Sequence, residues 1–285
     1  MLTVDLINKQ IFFDELFLYK HMNKKQLFIT DRDKYNELVY SLKCWYCTLK
    51  KHNFEVGLNG YMGLVMFLFN LARITNESKY KDGALQLLEC NLDFLYTIKD
   101  NLCFYNGITG CCWLLELLYR RKDINFSPEK MLEDVDVHLS KIVDNNINIL
   151  SIEELCGIGK YYLIKNRNRP SNNNWKQFSF IAEKLKANMV SIPNEENVAI
   201  DAVEILQGNN YNIKKDINFL ERRILQGPCT QINQVFNVYR LYKLTNDLYF
   251  KKRAYEDFKL MRSKLMTFDD ALMISDLLLN QDNKL

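Results

Sequence analysis

Apolar positions along this chain fall into two alternating kinds of segment. Residues 64–71, LVMFLFNL, are apolar on nearly every face of a helix, and a helix of that kind has to be buried on every side. Residues 78–96 place Tyr80, Ala84, Leu87, Leu88, Leu92 and Leu95 at helical steps of three and four, with Lys79, Lys81, Asp82 and Glu89 between them. That pattern predicts an amphipathic helix with one buried stripe. The alternation continues, inner helices at 108–119, 155–164, 198–206 and 231–244 being followed by outer ones at 128–143, 174–189, 213–225 and 249–265. A short helix is predicted at 269–279 and a first hairpin at 5–21 and 33–50, its second helix entered through Thr30 and Asp31 as an N-cap.

Glycines mark the period. Gly60 and Gly63 precede one apolar run and Gly107 and Gly110 the next, while Gly157 stands with Glu154 where its partner would be. Gly63, Gly110 and Gly157 are 47 residues apart in each step, the spacing of a stacked or circular array of helical hairpins. Six inner helices follow from residue 60 onward, and a seventh if the N-terminal hairpin joins the array. A ring of hairpins has one obvious site, the mouth where its turns converge.

Composition narrows the class. At 285 residues with 48% hydrophobic and 13% aromatic side chains the chain can bury a continuous core, and 10 Gly with 4 Pro disfavour sheets and long loops. A net charge of +3 gives no reason to expect a nucleic-acid partner. The start, MLTVDLINKQIFFDELFLYK, lacks the basic flank and cleavage site of a signal peptide, and the longest apolar run, 57–72, carries Asn59 and Asn70, so no membrane span is expected. A cytoplasmic protein with its eight cysteines reduced is the reading that follows. No linker splits residues 1–285, which read as one domain with 1–52 as its N-terminal hairpin.

The segment GLNGYMGLVMFLFNLARITNESKYKDGALQLL has a GLxxGxxG turn, an apolar helix, an Asn-containing connector and an outer helix; FYNGITGCCWLLELLYRR and PCTQINQVFNVYRLYKLTNDLYFKKRA are built alike. In these features the chain resembles the lanthionine synthetase C-like (LanC-like) proteins over roughly residues 30–280. The resemblance implies an all-α, double-layered α/α toroid of six to seven helical hairpins. It also implies a central zinc held by the Cys of a Trp-Cys-Tyr-Gly turn and by the Cys and His of a Cys-His-Gly turn. Such a zinc lowers the pKa of a substrate thiol, and the thiolate adds to a dehydrated Ser or Thr to close a thioether.

The sequence departs from that pattern at each motif. Cys229 stands at the first ligand of Cys-His-Gly, but Thr230 and Gln231 replace the His and Gly; 194–201 holds no Cys, Trp or Tyr; Glu153 stands where a His is expected and Cys103 where an Asp is. His21, His52 and His138 lie in none of the turns. No cofactor is therefore expected, zinc included, and the predicted function is binding of a peptide substrate or a modification enzyme by a pseudo-cyclase. Central-cavity candidates are Tyr61, Cys103, Tyr105, Cys111, Glu153, Cys156, Cys229, Thr230 and Gln231, with Trp113 a further aromatic for a peptide pocket.

Two alternatives stand beside this reading. Cys103, Cys111, Cys112, Cys156 and Cys229 could hold zinc as thiolates in an active cyclase, and Glu153, Glu154, Glu195, Glu196 and Asp201 could supply a carboxylate pair of the six-hairpin glycosidase kind. Cys44-x-x-Cys47 reads as helix packing. The glycine turns, with no strand before them and no Lys-Ser/Thr after, read as close helix approach rather than phosphate loops. Lys160, Lys165, Arg167, Arg169 and Lys176 read as a solvated basic loop rather than a partner site, though one that could attract an acidic leader peptide.

Overall fold

The computed structural model describes residues 56–188, 196–226 and 232–260. Ten α-helices account for their regular structure: α1 Tyr61–Thr75, α2 Ser78–Leu92, α3 Ile108–Arg120, α4 Glu133–Asn146, α5 Ile152–Asn168, α6 Asn172–Asn188, α7 Glu196–Gly208, α8 Lys214–Gln226, α9 Ile232–Thr245 and α10 Leu248–Leu260. Short 3-10 turns follow α2 at Asp93–Ile98 and α4 at Ile147–Ile149. Each helix coincides with one predicted from the apolar pattern, so the class is all-α. The helices predicted at 5–21, 33–50 and 269–279 lie outside the described residues.

The described chain forms two compact units. In the first, comprising 64–84, 224–226 and 232–260, Val65, Phe67, Leu68, Phe69 and Leu71 of α1 are all buried, as an all-round apolar helix requires. Helices α9 and α10 pack as a hairpin. One turn appears in this unit twice. Thr75 Oγ1 donates to Leu71 O at 2.8 Å and accepts from Glu77 N at 3.3 Å; Thr245 Oγ1 donates to Leu241 O at 2.8 Å and accepts from Asp247 N at 3.1 Å. Asn76 and Asn246 between them lie in the left-handed region at φ 56° and 57°, a conformation Asn tolerates better than other non-glycine residues.

The second unit, 56–63 with 85–188 and 196–223, is centred on α5, which packs against α3, α6 and α7. Gly159 makes the α5–α7 approach possible: a Cβ there would lie 2.7 Å from Ile205 Cδ1. Two ion-paired clusters cross the unit. Asp136 accepts from Tyr161 Oη and from Lys165 Nζ, both at 2.6 Å, and the fully buried Glu116 accepts from Asn168 Nδ2 at 2.8 Å and from Arg169.

These clusters correct the solvated basic loop expected at 160–176. Lys165 is buried and Lys160 and Arg169 are each held by a carboxylate, because α5 runs on to Asn168 and α6 starts at Asn172, leaving three residues where nine were expected. The polar residues read as loop are helix ends, with Ser171 Oγ accepting from Asn174 N at 3.1 Å as an N-cap. Helix α4 begins five residues later than expected. Glu133, Asp134 and Asp136 fill its first turn, where acids suit the helix dipole, and Pro128 closes a separate turn before it.

Candidate functional site

The glycine turns and the start of α5 build one face of the second unit. Asn59 N donates to Tyr105 O at 3.0 Å, tying the turn before α1 to the turn before α3. The latter, 101–107, is closed by Asn101: its backbone O accepts from Ile108 N at 2.8 Å, its Oδ1 accepts from Cys103 N at 3.1 Å, and its Nδ2 donates to Asn106 O at 3.2 Å. A Cβ on Gly110 would lie 1.8 Å from Phe104 O, and one on Gly157 would lie 2.5 Å from both Leu102 O and Thr109 Oγ1. Both glycines therefore serve close backbone approach.

Helix α5 enters this face through a capping box. Ser151 Oγ accepts from Glu154 N at 3.2 Å while Glu154 Oε2 accepts from Ser151 N at 2.8 Å. Glu154, which replaces the repeat glycine, thus has a local role at the helix end. Its neighbour Glu153 lies close enough to the Cys103 thiol for its charge to act on it. Burial first, and then the Glu153 charge, push the thiol up to about 11.

Other predicted site residues separate into buried and half-buried groups. Cys111 is fully buried with Sγ 3.9 Å from Val56 O, and burial pushes it up to about 12. Cys112 is raised well above the ordinary thiol range, chiefly by burial. Cys156, also buried, donates to Val198 O at 3.7 Å. Tyr61 and Tyr105 are half-buried, Tyr105 standing edge-on to Phe104 with ring centroids 5.2 Å apart. Cys229, Thr230 and Gln231, together with Glu195, lie outside the described residues.

One pair escaped the sequence reading. About one turn along α5 from Cys156, Lys160 Nζ is 2.8 Å from Asp201 Oδ1, 3.9 Å above the Phe104 ring and 6.0 Å from the Trp113 ring. Asp201 is 1% exposed. A largely buried ammonium held by one carboxylate and two aromatic faces is a specific feature of the fold, because an unpaired charge there would cost several kcal/mol. Lys160 and Asp201 are 41 residues apart on different helices, so no local signal joins them.

The zinc that the resemblance implies does not fit the described residues. Among them no three His, Cys, Asp or Glu side chains are grouped to hold a metal ion. Cys111 and Cys156 instead point at backbone carbonyls, Cys103 lies in the field of Glu153, and Asp201 is taken by Lys160.

Residues 57–198 match the model of a protein family, Lanthionine synthetase C-like protein. The match spans the three glycine repeats and the face just described apart from Val56 and Asp201. No curated protein and no solved structure matches the chain.

Proposed function

The chain belongs to the lanthionine synthetase C-like family, and from that premise we propose a binding member that has lost zinc-dependent thioether closure and holds a peptide substrate or a peptide-modifying partner enzyme. The whole chain is proposed to be one domain of this kind, working in the cytoplasm. No helix among the described residues is long and apolar enough to cross a membrane.

The observation that carries this reading is Cys103 with Glu153. A thiol meant for attack or metal binding is set beside a cation, a helix N-terminus or the metal itself, all of which favour thiolate. Here the thiol faces a carboxylate and its pKa moves the other way, to about 11. Glu153 and Glu154 also occupy the places of the His and Gly that the family resemblance calls for. Half-buried Tyr105 and Trp113 beside Phe104 offer apolar faces for an extended peptide. The glycosidase-like alternative is less favoured because three of its five acids are already engaged, Glu154 in the capping box, Glu153 beside Cys103 and Asp201 on Lys160.

The test is elemental mass spectrometry on protein purified without added metal or chelator, beside Cys229→Ala, with a thioether-closure assay on a dehydrated cysteine-containing peptide. Zinc far below one per chain, equal in both proteins, with no closure, is the expected result. Near-stoichiometric zinc that falls in Cys229→Ala, accompanied by closure, would restore an active cyclase.

A further inference from the structure

At the opposite end of α5 from the glycine turns lies a cavity of about 490 Å³, lined by Leu163, Asn166, Arg167, Ser171, Trp175 and Gly208 among others. From the Ser151 cap to Arg167 is about 24 Å along the helix at 1.5 Å per residue, so this is a place apart from the face around Cys103. Asn166 is nine-tenths buried, and neither its Oδ1 nor its Nδ2 has a hydrogen-bond partner. A buried primary amide with both ends unmatched costs a few kcal/mol unless something pairs with it.

We propose that this cavity binds a peptide segment carrying a carboxylate, the peptide group pairing with Asn166 and the carboxylate with Arg167 and the first turn of α6. Four features specify that ligand. An Asn amide offers one donor and one acceptor side by side, the complement of a peptide N–H and C=O. Arg167 has no ion-pair partner among the described residues. Partial desolvation and the like charge of Arg120 push its guanidinium below the usual arginine range, against Glu204, so an added anion is favoured there. Ser171 and Asn172 bring the start of α6 to the same wall, where first-turn N–H groups and the helix dipole favour negative charge. Trp175, half-exposed, and Leu163 supply apolar surface for the body of the segment.

This inference rests on the reading of the protein as a peptide binder and adds a second point of contact with its own chemistry. The experiment uses the full chain with ¹⁵N-labelled tryptophan and follows two indole N–H signals. Trp175 reports the cavity and Trp113 the face around Lys160, each assigned by its Trp→Phe variant. The probes are acetyl-Leu-Glu-Ala-amide and the same tripeptide with Gln for Glu.

The expected result is a saturable shift of Trp175 by the Glu peptide, weakened at least tenfold by the Gln peptide and by Arg167→Gln, with Arg167→Lys intermediate. Arg167 is exposed, so these variants are expected to fold, which circular dichroism checks. An unmoved Trp175 at millimolar peptide, or equal binding by both peptides and by Arg167→Gln, overturns the cavity proposal. Trp113 is read independently: a shift there with Trp175 unmoved leaves the peptide-binding reading standing and sinks this one alone.

Discussion

Cys103 shows how a single neighbour sets what a residue can do. Burial holds its proton and the Glu153 charge holds it further, so below about pH 11 the group is a thiol. Glu153→Gln removes the second effect and leaves the first. The variant should alkylate at Cys103 about three- to tenfold faster than wild type near pH 9, still slower than a free cysteine, because a pKa decrease of one unit gives tenfold more thiolate. Peptide-resolved mass spectrometry of iodoacetamide labelling across pH measures this, and an unchanged rate would mean that Glu153 does not control the thiol. Asp201 poses the complementary case. Asp201→Asn strands the Lys160 ammonium and should cost about 2–4 kcal/mol of stability. Lys160→Met in the same background should recover much of that, since Phe104 and Trp113 already surround the position with apolar faces. Urea unfolding of the two single variants and the double variant reads the coupling directly. The sequence made Cys103 and Glu153 candidates by their positions relative to the repeat glycines, and Asp201 one of five acids for a carboxylate pair. It could not pair Lys160 with Asp201, because that contact depends on which faces of α5 and α7 meet.

At the scale of the element, the inner-to-outer connection repeats with small changes in chemistry. Residues 76, 122, 210 and 246 all have φ between 56° and 60° just past a helix end, and three of them are Asn. The fourth is Lys122, after α3, where the Cβ is strained and the side chain has no compensating local hydrogen bond of the Asn kind. Lys122→Gly should therefore stabilise the protein by about 0.5–1 kcal/mol, the relief of left-handed strain outweighing the added freedom of the unfolded chain. Asn246→Ala, which adds that strain, should cost about 1 kcal/mol. Thermal or urea unfolding of the two variants separates them by sign, and two losses would show that the turn is not held by its backbone conformation. Helix type was legible here because apolar periodicity reports burial. Helix ends were less so: Ser151 with Glu154, and Ser171 with Asn174, are caps whose residues read equally well as loop, and only the hydrogen bonds tell which side of the boundary they are on.

For the molecule as a whole, the 47-residue glycine period located the described turns, because backbone contacts as close as Gly110 on Phe104 O admit no side chain. The charged interior was not legible, since Glu116 with Arg169 and Asp136 with Lys165 join positions far apart in the chain. The same interior gives the fold a pH limit. Cys111 is pushed up to about 12 and Cys112 well beyond the ordinary range, both chiefly by burial, while the unfolded chain loses these protons near pH 9. Between pH 9 and about 12 the folded state binds more protons than the unfolded state, so stability falls as pH rises. The slope is about 1.4 kcal/mol per pH unit for each deeply buried thiol, so these two together give about 2–3 kcal/mol by pH 10. Cys103 adds less, being half-exposed, and Tyr162, pushed up to about 12, contributes only above pH 10. Urea midpoints should be flat from about pH 7 to 8.5 and drop steeply beyond about 9. In a Cys111→Ala, Cys112→Ala variant the protein should be less stable at about pH 7.5 but lose less between about pH 8.5 and 10. Parallel curves for the two proteins would mean that the buried thiols are not what limits the fold in alkali.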